Sequence, residues 1–436
     1  MTIDISSPGT ILNNAARPSG VDECGCPDFA SSRRRFLQGA AAIAGAGVLT
    51  AVHGSAFTQV AMAQVGVATN VLVVLSLRGG ADGLSLVVPH SDPHYLSARP
   101  RIGLPTDKLL FPDDTFGLHP GFAPLSQLWR DKKLAAVHAV GLKEPNRSHF
   151  DAMEQLEDAD PGSSKRVGWL NRMIGLDTDE SPLQAVQMGS PIVPTALYGG
   201  EAVLAVKTID DMFLPASEVG YKRRRASLRE AWRGVPTALG RGSRSALKVS
   251  KQFETLAEES VLPQNGAVYP QGDLGAALAE TARLLRANLG AQVVTVDSGS
   301  WDMHTGMGNF DAGAMVKAVD NLAGSIAAFL KDLGTLGDKV TIVTISEFGR
   351  RVEENANRGL DHGWANVMLL AGAGVKGGEY YANSWPGLAP ENLEDGDLKK
   401  TTDYRSVLSE VVSSRFTADV SKVFPGFTPE TVGCME

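Results

Sequence analysis

The chain has 436 residues, 43% of them hydrophobic, enough for a large core in one big domain or two to three smaller ones. Its 49 acidic residues against 41 basic ones give a formal charge of −8. No long basic run in the body of the chain could track a phosphate backbone, which speaks against nucleic acid as a partner.

In chain order, residues 1–63 read as an export signal. A basic stretch, SRRRFLQ (Ser32–Gln38), precedes an uncharged Ala/Gly-rich run from Gly39 to Val52 and then AMA at Ala61–Ala63, the small-x-small pattern of a cleavage site. Arg33 and Arg34 followed by Phe36 and Leu37 resemble the twin-arginine signal, which implies the twin-arginine translocase as an export partner and a periplasmic or extracellular destination. The run is too short and glycine-rich for the ~20 apolar residues of a spanning helix, so no stable membrane span is expected in the mature form. Cys24 and Cys26 would leave with the signal; Cys434 alone remains and can form no internal disulfide.

Next, NVLVVLSL (Asn70–Leu77) is a continuous apolar run, as in a strand buried on both faces of a parallel sheet. KLAAVHAVG (Lys133–Gly141), AQVVTVDSGS (Ala291–Ser300), DKVTIVTISEFG (Asp338–Gly349) and VMLLAGAG (Val367–Gly374) are further strands. FAPLSQLWRD before the Lys133 run and AMVKAVDNLAGSIAAFLKDL before the Asp338 run have helical patterns. Strands alternating with helices predict an α/β fold with a mostly parallel central sheet. From Pro161 to Gly290 the pattern changes to short strands, turns and charged helical stretches such as YKRRRASLREAW, which predicts an insertion or cap over 161–290 within one domain spanning 64–436. The basic run Lys222–Arg225 reads as a solvated helix face.

Ligands of open α/β sheets collect beyond the carboxyl ends of the strands. RGGADGLS offers Arg78, Asp82 and Ser85 there; VDSGSWDMHTG offers Asp297, Asp302 and His304; SEFGRR offers Glu347, Arg350 and Arg351; RGLDHGWAN offers Asp361 and His362. Carboxylates and imidazoles on one rim suit a transition metal, zinc or manganese before magnesium or calcium. His149 in NRSHFDAME forms a fifth cluster, but Ser148 and Asp151 there also read as helix caps. His90, His94 and His119, in proline-rich loops, read as structural.

Together, LRGGADGLSLVVP, SHFDAME, SWDMHTG, TISEFGRR and DHGWAN, in this order after a twin-arginine signal, resemble the bacterial exported family known as domain of unknown function 1501. The resemblance implies the alkaline phosphatase and sulfatase superfamily: a three-layer α/β/α sandwich with one or two divalent metals at the strand ends. It implies metal ligation by Asp82, Asp302, His304, Glu347, Asp361 and His362, with Ser85 in the place of a nucleophile and Arg78 or Arg350 clamping an oxyanion. Phe348 stands where a histidine ligand would fall. The implied function is metal-dependent hydrolysis of phosphate or sulfate esters, on a small molecule or a polysaccharide. The alternative is an envelope or polysaccharide-associated binding protein that keeps the fold without the reaction.

Overall fold

Both faces of the run Val71–Leu77 (β1) are apolar, and in the computed structural model both are covered. Val71, Val73, Leu75 and Leu77 pack into one core with Leu274, Leu278, Met315 and Val319; Leu72 and Val74 pack into a second with Met153, Trp169, Val407 and Leu408. A strand between two cores has no polar face, hence its unbroken hydrophobicity. The structure describes residues 68–436 except 178–182, 213–217, 383 and most of 238–258; the expected export signal at 1–63 lies outside the described residues.

The central sheet has nine strands. After β1 come β2 (Leu134–Gly141), β3 (Ala185–Met188), β4 (Leu204–Val206), β5 (Val293–Ser298), β6 (Val340–Ile345), β7 (Asn366–Gly372), β8 (Tyr380–Tyr381) and β9 (Thr402–Asp403). Their spatial order is β8–β2–β7–β6–β1–β5–β3–β4, with β9 also pairing β2. All pairings are parallel except those of β7, which runs antiparallel to both β2 and β6.

The principal helices are α1 (His149–Asp158), α2 (Trp169–Ile174), α3 (Glu218–Ala231), α4 (Asp273–Arg286), α5 (Ala314–Leu333) and α6 (Tyr404–Arg415). α4 and α5 supply side chains to the first core, and α1, α2 and α6 to the second, so helices cover both faces of the sheet. In α5, Met315, Val319, Leu322, Ala323, Ile326, Phe329 and Leu333 recur at three- and four-residue steps and are buried, the stripe that makes this stretch a helix lying on a sheet. The architecture is a three-layer α/β/α sandwich with a mostly parallel sheet.

Three expectations need correction. β3 and β4 continue the sheet beyond β5, and α4 covers one of its faces, so those parts of 161–290 belong to the sandwich and not to a cap. FAPLSQLWRD, expected as one helix, is a 3₁₀ segment (Pro120–Leu125) followed by a five-residue helix; Pro124 lacks the N–H that a continuous α-helix would use. Asp361 and His362 precede β7 rather than follow a strand. Because β7 is antiparallel, its first residue lies at the end of the sheet where the parallel strands finish, and the segment still reaches the common rim. Among the described residues no helix is long and apolar enough to cross a membrane.

Candidate metal centre

Four strand ends and one helix start meet at this rim. The loop after β5 carries Asp302 and His304, the loop after β6 carries Glu347 and Arg350, and the approach to β7 carries Asp361 and His362. The loop after β2 leads into α1, whose first residue is His149. His149, Asp302 and His362 each offer a ligand atom within 4.8 Å of the others. His304 joins them: its Nε2 lies 3.0 Å from Asp302 Oδ1 and 3.0 Å from His362 Nε2. The side chains of Asp302 and His304 are 48% and 41% exposed, so solvent reaches the cluster.

Each of the three rings turns its Nδ1 toward an oxygen, an arrangement that suits a proton on Nδ1 and leaves Nε2 as the atom facing the cluster. His149 Nδ1 donates to Glu347 Oε1 at 2.8 Å. His304 Nδ1 donates to Asp361 Oδ1 at 3.1 Å, and that oxygen also accepts from Asn355 Nδ2. His362 Nδ1 donates to the Arg147 carbonyl at 2.8 Å. His304 Nε2 has both Asp302 Oδ1 and His362 Nε2 at 3.0 Å, so these two nitrogens share a proton unless a cation lies between them. His149 Nε2 is buried with no hydrogen-bond partner and lies 3.6 Å from Asp302 Oδ2. His362 Nε2 lies 3.5 Å from Asp302 Oδ1. Three Nε2 atoms and a carboxylate converge, and Arg350 Nη2 donates to Asp302 Oδ1 at 2.7 Å.

Such a cluster repels itself unless protons or a cation enter it. Burial, together with the nearby charges of Arg350, His149 and His304, lowers the pKa of His362 and outweighs its bond to the Arg147 carbonyl. Burial works against the Asp302 carboxylate, yet the hydrogen bond and charge of Arg350, with His304 and His149, hold its pKa below the ordinary range. The neutral-imidazole, ionised-carboxylate state is the one a divalent metal requires. Three imidazoles and one carboxylate fit zinc, manganese or iron better than magnesium or calcium.

Glu347 and Asp361 stand behind this set as the partners that orient His149 and His304, the usual carboxylate–histidine–metal arrangement. Glu347 is 4% exposed and also accepts from the Gly79 N–H at 2.8 Å. Phe348, in the place of an expected ligand, packs its ring 4.9 Å from that of His149 and 4.7 Å from that of His362. Gly80 has φ +64°, and a Cβ there would lie 2.5 Å from Phe348 Cε2. Gly359 of RGLDHG lets the chain pass against the His304 backbone, where a Cβ would come within 2.2 Å.

Other expected site residues lie apart from the cluster. Asp82 is buried, and its two oxygens accept from Arg99 at 2.5 and 3.0 Å. Ser85 is fully buried with its Oγ 3.3 Å from the same guanidinium. Arg99, fully neutralised and itself buried, turns this pair into scaffold, so neither Asp82 as a ligand nor Ser85 as an exposed nucleophile fits the geometry. Arg350 is also interior: it donates to the carbonyls of Gly79, Gly80, Leu360 and Trp301 besides Asp302. Each of its three nitrogens donates to a protein acceptor, and its side chain is only 1% exposed. Arg78 binds Asp297 through Nε at 2.8 Å and Glu157 through Nη2 at 2.7 Å, which leaves Nη1. His149, left outside the expected ligand set because Ser148 and Asp151 read as helix caps, is part of the cluster; Ser148 makes no side-chain capping bond. The signal that could have identified it is its place directly beyond β2, like the other clusters. His119 is structural as expected, accepting from the Gly121 N–H.

A family model described as "Protein of unknown function (DUF1501)" matches residues 129–405. The chain belongs to this family. The part shared with DUF1501 contains all four residues of the cluster and both carboxylates behind it, and it excludes Arg78, Asp82 and Ser85. No curated protein matches this DUF1501 chain. Solved structures similar to it include the C-terminal periplasmic domain of EcEptC from Escherichia coli in complex with Zn, at TM-score 0.33 and 11% identity, covering 83% of this chain and 88% of that one. A protein in the alkaline phosphatase superfamily from Vibrio parahaemolyticus has TM-score 0.32 and 10% identity over 91% and 78%. The phosphonate monoester hydrolase of Agrobacterium radiobacter has TM-score 0.28 and 10% identity over 83% and 78%.

Proposed function

We propose that this DUF1501 protein is an exported, metal-dependent hydrolase of phosphate or sulfate esters. Its centre holds one divalent ion, zinc or manganese, through His149, Asp302, His304 and His362. The observation that carries the reading is the gathering of three imidazole Nε2 atoms around one carboxylate, with each Nδ1 turned to an oxygen acceptor. When bound, the ion would supply Lewis acidity toward an ester oxygen and a lowered pKa for a water. The chain's own part is to hold the ligands unprotonated and correctly turned. Glu347, Asp361 and the Arg147 carbonyl do this for the three histidines, and Arg350 pins Asp302. Phe348 closes one flank with an apolar ring. Arg78, with one terminal nitrogen unoccupied, is the cation placed to receive an anionic ester oxygen. The buried Ser85 makes attack by water the route, without a covalent intermediate on serine.

The burial of Arg350 and of Ser85 favours a second reading, a binding protein that uses the fold without the reaction. Metal analysis of the purified protein, followed by assay against phosphate and sulfate mono- and diesters, separates the two. Hydrolysis of at least one ester is expected, with His362→Ala losing both metal and turnover and Ser85→Ala keeping both. Stoichiometric metal without turnover on any ester would favour the binding protein; absence of bound metal would remove the centre altogether.

A further inference from the structure

We propose that α3 and the turn after it form a docking surface for a membrane that carries anionic phospholipid. From Lys222 to Arg233 the chain places six cations, Lys222, Arg223, Arg224, Arg225, Arg229 and Arg233, against one carboxylate, Glu230, in a protein whose net charge is −8. Lys222, Arg223, Arg224, Arg229 and Arg233 are exposed. Glu230 pairs with Arg233 at 2.8 Å, but both side chains are well exposed, where such a pair contributes little.

The spacing arranges these charges. Lys222, Arg225, Arg229 and Arg233 follow one another at three- and four-residue steps, and the turn continues past Ala231 through the bond from Arg233 N–H to the Glu230 carbonyl. At 100° per residue the four lie within about an 80° sector and span about 16 Å, a straight row that can rest on a plane. Five of the six cations are arginine, whose planar fork takes two oxygens of one phosphate.

Trp232 falls about 20° outside this sector and Leu228 about 60° outside it, on the same side, and both are half-buried. An indole and an aliphatic side chain beside a cationic row match the boundary between headgroups and acyl chains, where tryptophan accumulates. A nucleic-acid duplex offers no such apolar layer, so lipid is the favoured occupant. With only two apolar side chains along the row, the helix adsorbs on the surface and does not insert deeply.

Co-sedimentation of the full chain with vesicles of mixed phosphatidylglycerol and phosphatidylcholine, and with vesicles of phosphatidylcholine alone, tests this. Binding is expected only to the anionic vesicles. It should fall steeply between about 0.05 and about 0.5 M salt. The variant Lys222→Gln/Arg225→Gln/Arg229→Gln/Arg233→Gln should partition at least about 100-fold less, since each basic residue near an anionic surface contributes roughly fivefold to tenfold. The N-terminal segment is common to both chains, so only their difference counts. Should the quadruple variant lose its circular-dichroism spectrum, the single exposed change Arg229→Glu replaces it, with a loss of at least about tenfold expected. Equal partition of a folded variant and the parent, equal binding to both vesicle types, or displacement from vesicles by duplex DNA at equal phosphate would each overturn the proposal.

Discussion

Glu347→Gln removes one charge and almost no volume from the residue that holds His149, so it tests the metal centre with little disturbance of the fold. Two bonds fall on Oε1, from His149 Nδ1–H and from the Gly79 N–H, both 2.8 Å, while Oε2 accepts from Ser346 Oγ at 3.2 Å. If the glutamine keeps its oxygen there, both bonds survive with a neutral acceptor. A hydrogen bond to a charged group contributes roughly 1 kcal/mol more than one to a neutral group, which predicts a loss of about fivefold in metal affinity. If the amide turns its nitrogen toward His149, Nδ1 must become the acceptor. The ring proton then moves to Nε2, where it blocks ligation, and the loss approaches about 100-fold. Glu347 is 4% exposed, so removing its charge also removes a desolvation cost, and the metal-free protein should change in stability by less than about 1 kcal/mol. Competition with a chromophoric chelator, using zinc and manganese separately, gives the affinity; thermal unfolding of the metal-free chain gives the control. An affinity within about twofold of the parent, or a fall in affinity that merely tracks an equal loss of stability, would refute the orienting role.

Replacing Arg33 and Arg34 by lysine should leave the precursor in the cytoplasm, and normal appearance of that variant outside it would remove the twin-arginine assignment. Gly80→Ala combines a left-handed backbone, φ +64°, with a Cβ 2.5 Å from Phe348; it should cost about 2–4 kcal/mol in a denaturant titration and loosen metal binding, and an unchanged midpoint would reject it. His119 and His138 are fully buried, and burial lowers the pKa of each to about 4 from an ordinary value near 6.5. The unfolded chain therefore binds more protons than the folded one across that interval. Stability contributed by the two neutral rings is complete above about pH 6.5 and is lost as pH falls toward about 4, by up to about 3 kcal/mol each. Substituting His138 by an apolar residue of similar size should flatten the acid limb of the stability profile, and an unaltered limb would exclude this source.

What was legible followed from local physical demands. A strand between two helical layers must be apolar on both faces, so β1, β5 and β6 stood out as runs, and α5 stood out by its buried stripe. β3 and β4, only four and three residues long at the sheet edge, offered too little pattern to be distinguished from an insertion. The direction of β7 leaves no trace in its composition, because an antiparallel strand buried on both faces reads like a parallel one. The candidate site was legible as residue types and illegible as partnerships. His149 meets Glu347 across 198 positions of sequence, and Asp82 meets Arg99 across seventeen residues that contain no shared motif. Whether a carboxylate faces a metal or an arginine depends on which cation the fold brings to it, and periodicity does not encode that.

Arg350 shows how the fold and the centre depend on one group. Its guanidinium joins the loop after β1, through the Gly79 and Gly80 carbonyls, to the loop after β5, through Trp301 and Asp302, and to the segment before β7, through Leu360. These loops carry the backbone donor to Glu347, the carboxylate of the cluster, and the approach to His362. A buried cation held by so many acceptors is rigid, and it ties together the loops that carry the cluster. Its burial leaves Arg78 as the more accessible arginine for the anion that the proposed function requires. Arg78 is more exposed, is absent from the matched family span, and sits between Asp297 and Glu157, two carboxylates that weaken its attraction for an anion. In the proposed reaction a metal held by the cluster would therefore contribute more than the arginine, whose part would be to steer the anion.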